Sequence, residues 1–299
     1  NKLVDFEQSN IHLVSYSEPI HRKITFEELK KHLHTHPDLS DAIPYRTTYY
    51  KRDWGFSVTH KQYSILENVT GLLEVKVDSS FNCNGSLTIG ELLIPGTSKE
   101  EILISTYICH PSLANDNLSG MIMTAFLARE LKQKKNLTRS YRIVWVPETI
   151  GAIVYCAMNE EKMKNIKSGL VVTTVGGPGK YSYKQSFNSE HSINLIIEKI
   201  FNKEKIDYKR YLFDIHGSDE RQYSSQGFKI NMASIHKDRY YEYPFYHTSL
   251  DNLDFVKAEY IEKSLQIHLN VLNKLNHENV YKSSQQYGEI MLSKYNLYP

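Results

Sequence analysis

The chain has 299 residues, of which 40% are hydrophobic and 23% are charged, and its formal net charge is +2. This length fits one large domain or one domain with an insertion, and the composition is ordinary for a globular protein. A charge this close to zero gives no electrostatic case for binding nucleic acid or a membrane surface, so we expect neither partner.

The cysteines and the absence of targeting patterns indicate the compartment. Cys83, Cys109 and Cys156 form no CxxC pair, which argues against a disulfide framework and against a cysteine-type zinc site. The printed sequence has no signal-peptide pattern and no apolar run long enough to span a membrane. We therefore expect a cytoplasmic protein, with Cys109 as a buried thiol rather than a nucleophile.

The first third of the chain predicts a small β-rich unit. Two runs of alternating apolar and polar residues, 72–78 and 86–94, flank an Asn/Gly turn at 82–85, which is the pattern of a β-hairpin. We accordingly divide the chain into an α/β domain formed by residues 1–41 and 99–280, an inserted small β-rich domain at 42–98, and a C-terminal tail at 281–299.

After this unit, strands alternate with helices. Buried apolar runs predict strands at 102–108, 141–146, 169–175 and 228–235. Helical spacing of apolar residues predicts helices at 121–131, 157–164, 193–203 and 253–275. This alternation is typical of a sheet covered by helices on both faces. The predicted fold class is therefore α/β: a three-layer α/β/α sheet with a small β-rich inserted domain.

The turn after the first buried run holds the most informative residues. His110 and Asp116 follow the predicted strand 102–108, and open α/β sheets bind ligands at this end of their strands. His-Pro and Asn-Asp-Asn are also ordinary turn formers, and an aspartate before a helix is an ordinary cap. The residues alone leave a structural turn and a metal or catalytic site both open.

Several segments, in order, resemble one family. CHPSLANDNLSG (109–120) resembles the metal-binding turn of the M28-type zinc aminopeptidases. It is still more similar to a bacterial aminopeptidase-like branch, of the DUF4910/DUF2172 type, met among surface-polysaccharide genes. Further matching segments are IPYRTTYYKRDWGF (43–56), SLTIGELLIPG (86–96), VPETIGAIVY (146–155) and YHTSLDNLDFV (246–256). The resemblance covers nearly the whole chain and implies a zinc-peptidase-like sheet.

The end of the chain is similar to a linking segment of longer relatives. Residues 288–299 resemble the stretch that leads, in those relatives, into a C-terminal winged-helix domain. We therefore expect this chain to lack that domain.

The resemblance implies a metal site and a base. His110 and His247 match histidine ligands, Asp116 matches a bridging aspartate, and Glu148 matches the general base. Because metal–ligand bonds are near 2 Å, the ligating atoms of His110, Asp116 and His247 should lie within about 5 Å of a common point. Glu148 would act as a base one water molecule away from the metal, or as a ligand itself if it binds the metal directly.

The sequence departs from the family pattern at several acidic positions. Thr149 stands where a second acid is expected, the segment 172–177 contains no acid, and Ser112 replaces an aspartate. Two ligands of the two-metal pattern are therefore absent. We expect a single zinc ion per chain, held by His110, Asp116 and His247 with an open coordination position.

A charged turn resembles the family's turn near the specificity pocket. Asp219, Glu220 and Arg221 stand in it, with Glu220 in place of the family's histidine. This cluster could bind an amine or a carboxylate of a substrate. A solvated loop of surface ion pairs is the alternative.

Three functions are compatible with these residues. The first is a metal-dependent hydrolase of the aminopeptidase type, which cleaves an N-terminal amino acid or a small amide with a zinc-activated water and Glu148 as base. The second is a catalytically altered or silent module that binds a glycan or sugar intermediate in surface-polysaccharide biosynthesis. The third is an acyl-transfer or cyclising enzyme on a single-zinc scaffold. The expected partner is a small peptide, an amide or a modified sugar, and a homo-oligomer stays open.

Overall fold

A computed structural model describes residues 2–278 and 287–298, so the predicted tail at 281–299 lies partly outside the described residues. The strands are β1 (Ile20–Ile24), β2 (Leu33–His34), β3 (Phe56–Ser57), β4 (Leu73–Val77), β5 (Gly90–Ile94), β6 (Glu101–Tyr107), β7 (Ser140–Val146), β8 (Ile166–Val172), β9 (Tyr181–Lys184), β10 (Tyr208–Tyr211) and β11 (Asn231–His236). The α-helices are α1 (Phe26–Leu29), α2 (His60–Glu67), α3 (Gly120–Gln133), α4 (Ile150–Met158), α5 (Glu160–Met163), α6 (Ser192–Lys203), α7 (Glu220–Tyr223) and α8 (Ala258–Asn276).

A seven-stranded mixed sheet forms the centre of the molecule, in the order β10-β9-β11-β8-β6-β7-β5. Strands β6, β7, β8 and β11 run parallel, whereas β5 and β9 pair antiparallel with β7 and β11. Every residue of β6 is buried, as expected for a strand covered on both faces. The carboxyl ends of β6 and β7 therefore meet at one edge of the sheet.

Helices cover both faces of this sheet. Helices α3, α6 and α8 pack on one face in a core that includes Ile104, while α4, α5 and α7 pack on the other in a core that includes Leu103. These adjacent residues of β6 enter opposite cores because side chains alternate along a strand. The predicted three-layer α/β/α fold is confirmed.

The predicted β-hairpin is wrong. β4 pairs antiparallel with β1, and β5 instead joins the edge of the central sheet beside β7. Both runs alternate as a half-buried strand should, and alternation does not specify which strand is the partner. The bounds 42–98 of a separate domain stay a prediction, although β5, within those bounds, belongs to the central sheet.

Local hydrogen bonds shift the ends of two predicted elements. Helix α8 begins at Ala258, later than predicted, because the side chain of Asn252 accepts from the backbone N–H groups of Asp254 and Phe255 and forms a turn. β8 ends at Val172, and the following Thr174 adopts a positive φ of 49° that no continuing strand permits. Within residues 2–278 and 287–298, no helix has both the length and the apolar character needed to cross a membrane.

Two histidines are buried in the neutral form inside the core. Burial lowers the pKa of His268 on α8 to about 4 and that of His236 on β11 to about 3. His268 donates a hydrogen bond from Nδ1 to the carbonyl of Ser264, 2.7 Å away, which acts to raise its pKa, but burial outweighs this effect and keeps the ring uncharged. The unfolded chain binds a proton at each position near pH 6.5, whereas the folded chain does not until the pH falls much lower.

We therefore expect the free energy of unfolding of the metal-free protein to fall as the pH falls below about 6.5. Each histidine should contribute a slope of about 1.4 kcal/mol per pH unit until its folded pKa is reached. Urea denaturation of His268→Gln should show a shallower pH dependence between about pH 6.5 and 4.5. His21→Gln, at an exposed position, is the matched control. A slope unchanged by His268→Gln would contradict this account.

Candidate metal centre

The structure brings together the three side chains that the sequence predicts as metal ligands. His110 follows β6, Asp116 lies in the wide helical turn Ala114–Ser119, and His247 lies in the loop before α8. One ligand atom from each lies within 4.8 Å of the others. Three segments far apart in sequence thus present two imidazoles and a carboxylate to one point, a donor set that suits zinc.

Asp116 is fixed in place by groups that the sequence analysis missed. The carboxylate of Asp251 accepts hydrogen bonds from the backbone N–H groups of Asn115, at 2.6 Å, and Asp116, at 3.0 Å. The Tyr107 hydroxyl donates to Oδ1 of Asp116. Burial acts to raise the pKa of Asp116, but the two nearby imidazoles, His110 and His247, together with the Tyr107 hydroxyl, outweigh burial and lower it. The carboxyl group is therefore held as an anion.

Two buried atoms of this cluster fit a cation. Oδ2 of Asp116 and Nε2 of His247 lie 3.0 Å apart, yet neither has a hydrogen-bond partner within the described part of the chain. Buried polar atoms are almost always hydrogen-bonded, so an orphaned carboxylate oxygen facing an orphaned imidazole nitrogen calls for another partner. A metal ion that accepts both lone pairs satisfies them together.

Glu148 stands beside this cluster. It follows β7, and its Oε2 lies 3.8 Å from Nε2 of His110. Ser218 donates a hydrogen bond from Oγ to Oε1 of Glu148 at 2.7 Å, and the backbone N–H of Glu148 donates to Sγ of Cys109 at 3.1 Å. Burial raises the pKa of Glu148 above its ordinary value. One carboxylate oxygen is thus held by Ser218, and the other faces the predicted metal ligands.

Cys109 has a structural role in this arrangement. Burial raises the pKa of its thiol to about 12, so little thiolate forms near neutral pH. Its sulfur accepts the backbone hydrogen bond of Glu148. These facts agree with the expectation of a buried thiol rather than a nucleophile. Within the described residues the three cysteines are free.

Backbone strain concentrates around the cluster. Ser112, Thr149, Thr174 and His247 all have positive φ angles, between 49° and 62°. L-residues with side chains rarely adopt this region, and threonine, with its branched Cβ, is especially disfavoured there. Such strain persists where the surrounding structure fixes it, and it is common at functional sites.

The predicted substrate residues Asp219, Glu220 and Arg221 do not act as one cluster. Asp219 and Glu220 are fully buried, so the sequence expectation that they contact a substrate is corrected. Oδ1 of Asp219 accepts from the backbone N–H of Thr149 at 2.7 Å, and Glu220 forms an ion pair with Lys184 at 3.1 Å. The alternative of a solvated loop fails for the same reason. Arg221 alone of the three lines the cavity beside the metal cluster.

This cavity has a volume of about 370 Å³ and opens above the cluster. Its walls are mainly polar and aromatic side chains, together with His110, Glu148 and His247. The other lining residues are Tyr45, Arg46, Thr47, Tyr49, Tyr107, Thr149, Gly217, Ser218, Arg221, Tyr240, Tyr241 and Tyr246. Several of these stand in the matched segments 43–56 and 246–256. These matched segments were therefore the signal in the sequence that could have located the cavity wall.

The fold matches that of a known solved structure. A zinc aminopeptidase from Bacillus subtilis superposes with a TM-score of 0.62 at 14% identity, over 81% of this chain and 63% of that one. The chain therefore has the fold of the zinc aminopeptidases, as the resemblance of its motifs predicted.

Closer relatives identify the family. The chain belongs to the family described as "Domain of unknown function (DUF4910)", whose model matches residues 13–278. A Clostridium acetobutylicum protein is 41% identical over 297 residues, which is 99% of this chain and 67% of the relative. It bears the provisional name of a polysaccharide biosynthesis protein with an aminopeptidase-like domain. A crystal structure from the same species, provisionally described as a peptidase, is also 41% identical and has a TM-score of 0.89, over 98% of this chain and 68% of that chain.

Proposed function

We propose that the chain is a metal-dependent hydrolase of the aminopeptidase type, which holds one zinc ion and cleaves an N-terminal amino acid or a small amide. The observation that carries this proposal is the cluster of His110, Asp116 and His247, with ligand atoms within 4.8 Å and two of those side chains presenting orphaned buried atoms. The zinc aminopeptidase fold and the provisional peptidase description of the 41% identical structure support it.

The surroundings of Asp116 support a single ion. Its Oδ1, the oxygen available for a second metal, already accepts the hydrogen bond of Tyr107. The Tyr107 hydroxyl lies 2.6 Å from Oγ1 of Thr173, in the segment where the family pattern has an acid. A neutral hydroxyl pair therefore occupies the side of Asp116 that a second, acid-ligated metal would need.

We expect one equivalent of zinc to remain on the purified protein after dialysis. His247→Ala and His110→Ala should each reduce retained zinc to background, because removal of one of three protein ligands strongly weakens a zinc site. Elemental analysis by mass spectrometry, on protein purified without a His tag, measures this. His216→Ala changes an exposed histidine away from the cluster and is the control. Two equivalents retained in the wild type would contradict the single site.

The residues of the chain define what each group would do. Zinc, when bound, lowers the pKa of a water molecule and polarises a carbonyl group. Glu148 accepts the proton of the attacking water and returns it to the leaving amine. Ser218 holds Oε1 of Glu148, which leaves Oε2 directed toward the metal ligands. Tyr107 and Asp251 hold Asp116 in place through hydrogen bonds to its carboxylate and its backbone N–H group.

A second function, binding of a glycan or a sugar intermediate without hydrolysis, is favoured by one specific observation. Tyrosines line much of the cavity, including Tyr45, Tyr49, Tyr241 and Tyr246. Aromatic rings offer apolar faces with a polar edge, which suits a sugar as well as a peptide. The provisional name of the 41% identical relative points the same way.

A panel of aminoacyl amides and N-acyl amino acids, assayed by mass spectrometry of the products with one equivalent of zinc added, separates these functions. Product formation that requires zinc supports the hydrolase, and a cyclised or acyl-transfer product would assign the third function instead. Retained zinc with no turnover of any compound would favour the binding module. A cytoplasmic location, a small-molecule partner and a homo-oligomer remain proposals.

A further inference from the structure

Two arginines of the cavity have no partner in the described part of the chain. Arg46 and Arg221 line the cavity, and neither forms an ion pair or a side-chain hydrogen bond there. Nε of Arg221 is buried without an acceptor. Five of the seven other arginines pair with carboxylates, and the two that do not, Arg22 and Arg52, do not line this cavity; the five are Arg129, Arg139, Arg142, Arg210 and Arg239.

The two arginines stand in different segments of the cavity wall. Arg221 lies on α7, three residues after Ser218, which holds Glu148. Arg46, an exposed residue, follows Tyr45, whose backbone N–H donates to the carbonyl of His247 at 2.8 Å. One arginine thus belongs to the segment that holds the predicted base, and the other belongs to a segment bonded to that of a predicted ligand.

Among the described residues, the lining of the cavity includes one carboxylate that could face a cation. Of the acids, Glu148 alone lines it, and Ser218 and His110 already face that carboxylate. Asp219 and Glu220, which could otherwise receive an ammonium group, are fully buried and do not line the cavity. A substrate ammonium therefore finds no unengaged acid in the lining, whereas an anion finds two planar guanidinium groups.

We propose that the substrate of this site carries an anionic group, a carboxylate or a phosphate, that Arg46 and Arg221 bind. A guanidinium donates parallel hydrogen bonds that match the oxygens of either anion, and an unpaired buried donor such as Nε of Arg221 gains most from such a partner. This inference rests on the proposed hydrolase in that the anion belongs to its substrate. It selects, from the proposed substrates, an acidic small amide over a neutral peptide amine.

Isothermal titration calorimetry with matched probes tests the inference without turnover. Glutarate and its diamide, glutaramide, have the same length, and the diamide carries no negative charge. Wild-type protein should bind glutarate at least about tenfold more tightly, the gain expected from charge-assisted hydrogen bonds. The comparison is made both with one equivalent of zinc and in metal-free protein.

3-Phosphonopropionate distinguishes the two anions: tighter binding than glutarate assigns a phosphate, and weaker binding assigns a carboxylate.

Arg221→Gln and Arg46→Gln should each reduce the preference for glutarate over glutaramide by about tenfold, while the affinity for glutaramide changes little. Arg129→Gln, on the exposed surface of α3, should keep the full preference. Circular dichroism checks that the variants fold.

Equal binding of the two probes by the wild type, or a preference that survives both substitutions, would overturn the inference. Absence of zinc binding would overturn the proposed hydrolase instead. The metal-free titration would then decide the anion site by the same comparison.

Discussion

Glu148→Gln is expected to retain zinc and to lower the hydrolytic rate by about 10²- to 10⁴-fold, the usual contribution of a general base. The amide keeps the size of the side chain and an oxygen that can accept the hydrogen bond of Ser218. It cannot take a proton from water. Oε2 of Glu148 lies 3.8 Å from His110, which places the carboxylate next to the predicted ligands.

The zinc content of Glu148→Gln decides between two roles. Elemental analysis and a single-turnover assay on the same preparation separate metal loss from loss of chemistry. Glu161→Gln changes a glutamate on the exposed surface and should match the wild type in both measurements. A variant without zinc would make Glu148 a ligand, and a fully active variant would refute the proposed mechanism.

The layered fold could be predicted because the residue types of β6 are typical of a strand with a helical layer on each face. A short run rich in apolar and β-branched residues predicts a strand covered on both faces, and all seven residues of β6 are buried. Because β6 and β7 are parallel, the residues that follow them, His110 and Glu148, had to share an edge of the sheet. The motif order then placed Asp116 and His247 at the same edge.

The partners of these residues could not be predicted in the same way. Tyr107 is the last residue of β6 and is buried like the others. The sequence pattern around it does not show that its hydroxyl donates a hydrogen bond to Asp116. Asp251 stands in a matched segment, but its bonds to the backbone N–H groups of Asn115 and Asp116 depend on how two distant loops meet. Such contacts follow from tertiary packing rather than from local pattern.

The charged residues of the turn before and within α7 led to the least accurate expectation. Asp219 and Glu220 stand among polar residues and are typical of a solvated turn, yet both are fully buried. The residue that makes this burial feasible is Lys184, the last residue of β9, which pairs with Glu220. β9 has the sequence YSYK, whose polar residues and short length do not predict a strand, so a buried cation at this position could not be expected from local pattern.

The pair Lys184–Glu220 leads to the second large prediction. Neither side chain is exposed to solvent, and the two charges lie 3.1 Å apart. Nζ of Lys184 also donates to the carbonyls of Asp214 and His216, and Glu220 accepts from the backbone N–H of Ser218 at 3.0 Å. A Cβ at Gly217 would lie 2.0 Å from Glu220, so this loop closes directly on the pair.

Lys184→Met is therefore expected to lower the free energy of unfolding by about 3–5 kcal/mol, because it leaves the carboxylate of Glu220 buried without a counter-charge. Urea denaturation measures the loss.

Lys180→Met breaks an ion pair of similar length, with Asp207, in which both side chains are largely exposed, and it should leave stability unchanged within error. The double variant Lys184→Met/Glu220→Leu should be more stable than Lys184→Met alone, since it removes the unpaired charge. Equal effects of Lys184→Met and Lys180→Met would show that burial of the pair does not matter. Because the same loop carries Ser218 and Arg221, Lys184→Met should also impair hydrolysis in whatever fraction remains folded.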